Sequence, residues 1–223
     1  LLNKRRIPRY LAFLLAIFAL AILQAQSVPP RFAESELSFL KQGKLVERLV
    51  KMEGEPWPQT TYYFLIDMPP LDAFSLYSDV EAHPSFAPDI LEKRIINRIS
   101  PTEFHVGSTV KVPWPLNQLY YETGNVLETY GKDGYCLRWY LVSSEQSENV
   151  RGFCRFEPFE GRTLMIYRSH ITPKSIFAPL FQGRVVKDSR KAVYSVYNYL
   201  QNQHFPSTFV ETRRKVVQSA LRR

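Results

Sequence analysis

The chain has little of what catalytic and cofactor sites are usually built from. Two of its 223 residues are cysteine and four are histidine, and none falls in a cluster with the spacing of a metal site. No glycine-rich loop is placed to cradle phosphates, and no Ser-His-Asp arrangement is visible. His105 and His170 each stand alone on a strand-like run, where a surface or hydrogen-bonded histidine is the ordinary outcome. The expectation is therefore a protein with no cofactor and no metal.

A disulfide is also missing from the expectation. Cys136 and Cys154 flank a hairpin centred near Glu145, but strand alternation sets Tyr135, Leu137, Trp139 and Leu141 on one face and Cys136 with Arg138 on the other. On the next strand Cys154 goes with Phe156, opposite Arg151, Arg155 and Glu157. Cysteines on opposite faces of a sheet cannot bridge.

The formal charge of +8 does not describe a basic domain. Lys4, Arg5, Arg6 and Arg9 crowd the first residues, and Arg213, Arg214, Lys215, Arg222 and Arg223 crowd the last. Between them, residues 28–205 carry equal numbers of acids and bases. A nucleic-acid partner needs a basic face on the domain itself, so none is expected. Long apolar runs are absent too: Leu11–Leu23 is the one uninterrupted stretch, short of the roughly 20 residues of a membrane span. Preceded by basic residues and followed by small ones at Ala25 and Ser27, it reads as a secretory signal over residues 1–27. An exported, periplasmic domain is expected, with an inner-membrane anchor through residues 11–23 as the alternative.

What the chain does have is aromatic and β-branched sequence in short runs. Residues 28–43 read as a linker and a short helix. "TTYYFLIDM" is a strand, ended by Pro69 and Pro70, and "LDAFSLYSDV" has its apolar residues at helical spacing. From residue 91, six strand-like runs follow with joints too short for helical crossovers, the pattern of an antiparallel meander. "RVVKDSRKAVYSVYNYLQNQ" is a long helix with Val186, Val193, Val196, Tyr197 and Leu200 on one stripe. The fold class is α+β: a curved antiparallel sheet of about seven strands around a long C-terminal helix, with two short helices after the first core strand, over residues 44–205. One helix does not fill the concavity of so wide a sheet, so an apolar cavity is expected.

The order of these elements resembles the helix-grip superfamily of START-like, polyketide cyclase-like and coenzyme Q-binding proteins, over about Lys44 to Gln203. The resemblance is carried by "DMPPLDAFSLYSDVEAHPSFAPDILEKRII", with Asp79, Glu81, His83, Pro84, Phe86 and Pro88, and by "FAPLFQGRVVKDSRKAVYSVYNYL". It implies binding of a hydrophobic small molecule or lipid inside the grip, for sequestration or transport. A minority of the superfamily are enzymes, so a cyclase- or dehydrase-like activity in the same cavity is the alternative.

His83 stands at the bend, where Pro84 and Pro88 break the helix. A role in shaping the bend is favoured over chemistry, with Phe86 plugging the concave side. Trp114, rigid between two prolines, is a candidate for the cavity mouth. Tyr121, Trp139, Phe153, Tyr167, Val193 and Tyr197 are the candidate cavity lining, and Asn97 or a tyrosine hydroxyl the candidate buried polar group. The tail, residues 206–223, reads as a basic amphipathic helix. It either packs on its own domain or lies on an anionic membrane surface with its apolar face in the bilayer.

Overall fold

The computed structural model describes residues 30–112 and 117–222. The expected secretory segment and Trp114 lie outside the described residues.

Helix α1 (Glu34–Lys41) leads into β1 (Val46–Val50) and β2 (Gln59–Ile66). Pro70 occupies the first turn of α2 (Pro70–Tyr77), where its missing N–H costs nothing and its fixed φ suits the helix. A 3₁₀ turn follows over Val80–Ser85. Six strands come next: β3 (Ile90–Arg98), β4 (Glu103–Lys111), β5 (Gln118–Tyr130), β6 (Gly134–Ser144), β7 (Ser147–Phe159) and β8 (Arg162–Pro173). A 3₁₀ turn over Ala178–Phe181 opens α3 (Gln182–Asn202), and α4 (Ser207–Leu221) ends the described chain.

All eight strands form one antiparallel sheet in the order β1-β2-β8-β7-β6-β5-β4-β3. The sequence reading of about seven strands falls one short because β1 alternates too weakly to be told from a helix. β1 is an edge strand, half-exposed for most of its length.

Strand alternation sorts the side chains into two faces. Tyr62, Phe64 and Ile66 of β2, Met165 of β8, Cys154 and Phe156 of β7, Leu137 and Trp139 of β6, and Val106 of β4 share the inner face with Val193 and Val196 of α3. α3 is tied down at both sides of the sheet. Arg190 meets Glu47 of β1 at 2.6 Å, and Lys191 meets Asp89, just before β3, at 2.9 Å. Cys136 lies on the outer face, opposite Arg155, while Cys154 lies on the inner one beside Leu137. Both are free thiols, as the alternation requires.

The tail follows the first of its two expectations. Val217 of α4 is buried in the core, and Val210, Ala220 and Leu221 pack against it. Arg214 grips Asp72 of α2 with two hydrogen bonds of 2.7 and 2.9 Å, and Arg213 pairs with Asp79 at 2.6 Å. That packing takes up Val210, Val217, Ala220 and Leu221, while Phe209 and Val216 of the same helix stay exposed. Among the described residues no helix is long and apolar enough to cross a membrane.

Candidate functional site

The inner face becomes polar toward the β3 edge. Cross-strand register sets Lys93, Ser108 and Tyr121 side by side on β3, β4 and β5. Ile95, Val106, Thr123 and Leu141 form the next row, and Phe104, Asn125, Trp139 and Gly152 the row beyond. Trp139 reaches over Gly152 because no side chain opposes it: a Cβ there would stand 2.5 Å from the indole. The Trp139 ring meets Tyr167 with centroids 5.2 Å apart.

His83 closes this strip from the 3₁₀ turn. It is 4% exposed, and both ring nitrogens are engaged. Nε2 lies 2.8 Å from the Tyr77 carbonyl oxygen and Nδ1 lies 3.1 Å from Lys93 Nζ. A carbonyl can only accept, so Nε2 carries the proton and Nδ1 accepts from the lysine. Burial, and then the neighbouring ammonium, hold the imidazole well below its usual pKa, against the opposing bond to Tyr77. The ring is neutral at pH 7.

Lys93 is the unusual member. Burial alone pushes its pKa down to about 8, because an ammonium out of water loses its solvation. Among the described residues no carboxylate is within ion-pair distance of it. Glu81, the acid nearest His83 in sequence, accepts instead from the Ile95 amide at 3.1 Å. Beside Lys93, Ser108 is 1% exposed and its hydroxyl has no partner in bonding geometry, although the Tyr121 phenol is near enough to feel it. Burial raises the pKa values of Tyr121 and Tyr167.

The sequence candidates divide accordingly. His83, Tyr121, Trp139 and Tyr167 face this strip. Phe86 packs between His83 and Tyr199, stacked on the latter at 4.0 Å, and Val193 is buried in the core. Tyr197 stacks on Phe64 at 4.3 Å, near Arg162 and Asp67 rather than Lys93.

Two candidates require correction. Asn97 is exposed, because the sheet register slips between Ile95 and Asn97 and a bulge turns the following side chain over. The buried asparagine is Asn125, which bonds to Thr123. Phe153 points outward, where Arg155 and Arg168 lie over its ring. The alternation that pairs Cys154 with Phe156 already put it there.

Lys93 was missed, since "EKR" reads as a solvated charge run. The available signal was its two-residue spacing from Ile95. His105 and His170 sit on β4 and β8 with three strands between them. Among the described residues no group of potential ligands could hold a metal ion.

No family model and no curated protein sequence matches the chain. Solved structures do. A STAR-related lipid transfer protein from Xanthomonas axonopodis superposes with a TM-score of 0.62 at 17% identity, covering 77% of this chain and 96% of that one. Human StAR-related lipid transfer protein 5 gives 0.61 at 9% identity, covering 87% and 98%. The Zhui aromatase/cyclase from Streptomyces gives 0.54 at 13% identity, covering 64% and 92%. The fold is the START-like helix grip.

Proposed function

We propose that the domain binds a hydrophobic molecule between α3 and the inner face of the sheet, as a carrier or a sequestering protein. One observation carries the reading. Lys93, Tyr121 and Tyr167 are enclosed enough for burial to shift their titration, yet each keeps accessible surface. Side chains that are largely surrounded by protein and still accessible fit the lining of a recess between helix and sheet. The apolar members beside them, Trp139 and Ile95, would hold the ligand body at about 25 cal/mol per Å² buried, before the costs of binding. The lipid transfer proteins that share the fold support the same reading.

Loading from a bilayer fits the connector before α3 better than it fits the tail. Ile176, Phe177, Leu180 and Phe181 are all exposed there, Ile176 to 85%, and Lys174, Arg184 and Lys187 around them are exposed as well. The segment is held in place by the Trp57 indole, which donates to the Ala178 carbonyl at 2.8 Å. Apolar side chains ringed by cations suit an anionic membrane surface. Residues 1–27, as a secretory signal or anchor, would deliver the domain to the periplasmic side of such a membrane.

Titration with Nile red, a neutral dye that brightens in apolar surroundings, tests the binding reading. Saturable binding of one dye per chain, competed by a long-chain alcohol, is expected. Absence of saturable binding to folded protein overturns it.

A second reading has one observation in its favour. An amine that titrates near 8 is a usable base or nucleophile at neutral pH. His83 cannot share that work while both its nitrogens are bonded. Catalytic turnover of a bound aldehyde or ketone that is lost in Lys93→Met supports the enzyme, and binding without turnover supports the carrier.

A further inference from the structure

We infer that the head group of the ligand is a carboxylate, and that Lys93 receives it with Ser108 and Tyr121 at the polar end of the recess. This rests on the binding reading above and deepens it. An ammonium held inside a fold without a carboxylate partner is disfavoured, and a counter-charge brought by a ligand would relieve that cost. Lys93 is in that state. Its one bond to protein is to His83 Nδ1 at 3.1 Å, which leaves two of its three N–H donors for a ligand.

The surrounding groups are donors too. Ser108 Oγ is buried with no partner in bonding geometry, and Tyr121, its cross-strand neighbour, lies near enough for the hydroxyl to act on the phenol. The His83 ring is fixed by the Tyr77 carbonyl with its acceptor toward Lys93, which aims the ammonium without neutralising it. One unpaired cation and two hydroxyl donors match a single negative charge spread over two oxygens. A phosphate monoester would bring a second charge, and the other cation on this side of β3, Arg98, lies exposed over the Phe104 ring two rows from Lys93. The apolar members of the next two rows, Ile95, Val106, Leu141 and Trp139, set the direction of the hydrocarbon, away from the β3 edge and across the sheet.

The test compares oleic acid with oleyl alcohol, of equal chain length, by displacement of Nile red from the folded full-length protein at pH 7. The wild type should bind the acid about tenfold or more tightly than the alcohol, the scale of a charge-assisted bond inside a protein. Lys93→Met should erase that difference by weakening the acid more than the alcohol. Lys93→Arg, which keeps the charge, should retain part of it. Equal affinity of the wild type for acid and alcohol overturns the carboxylate site while the binding reading stands. Failure of dye, acid and alcohol alike removes both. Preference for the acid that survives in Lys93→Met also overturns the assignment. The wild-type comparison needs no variant, so a misfolded Lys93→Met would not rescue the proposal.

Discussion

Replacing Lys93 by methionine should make the ligand-free protein more stable at neutral pH and less stable at alkaline pH. An ammonium that titrates near 8 instead of 10.5 is disfavoured in the folded state by about 3 kcal/mol while it is charged. Methionine has similar volume and no charge, so it relieves that penalty. It also leaves His83 Nδ1 without its donor, which costs about 1–2 kcal/mol. The balance at pH 7 is a gain of about 1–2 kcal/mol.

The sign reverses on raising the pH. Between pH 8 and 10.5 the unfolded chain holds the lysine proton and the folded chain does not, so wild-type stability climbs through that window. The neutral amine still donates to Nδ1, and the variant then lacks only that bond. Cys136, Cys154 and the buried tyrosines, whose raised pKa values favour the folded state less as pH rises, are common to both proteins and cancel in the difference. Urea denaturation of both proteins at pH 7 and pH 10.5 reads the crossing. A variant that is less stable at pH 7, or a difference that does not move with pH, would refute an uncompensated ammonium at position 93.

Gly152→Ala should destabilise the protein by about 1–3 kcal/mol, because the new methyl runs into the Trp139 indole and the Arg168 carbonyl oxygen; thermal melting with a shifted Trp emission spectrum checks it. Arg214→Ala should cost about 1–3 kcal/mol by stranding the largely buried Asp72 carboxylate, and Asp72→Asn in the same chain should recover part of that loss, read by denaturant midpoints. Thiol reagent should label Cys136 and Cys154 slowly in the native protein and completely in urea, with no change on prior reduction, since both are buried and unbridged. A reduction-dependent gain in labelling would count against the two-face register.

The fold was legible wherever a period ran long enough. Alternation in β5 to β8 and the helical stripe Val186, Val193, Val196, Leu200 fix which faces meet, and the proline-rich bend around His83 marks where the chain turns into β3. The site was half legible. Tyr121, Trp139 and Tyr167 follow from phase alone. Asn97 failed because a bulge is one extra residue and leaves no trace in composition, so every phase beyond it inverts. Lys93 failed because burial of a charge depends on what lies across the sheet and above it. The tail was ambiguous for the same reason. Amphipathicity shows that a face must be covered, and only the position of α2 with Asp72 shows by what.

Native mass spectrometry of the protein purified from its own host, followed by organic extraction, tests the central claim most directly. The account predicts a folded chain carrying one apolar passenger, released into the organic phase and acidic in character. A folded chain with only its own mass, which also takes up no Nile red, would contradict it.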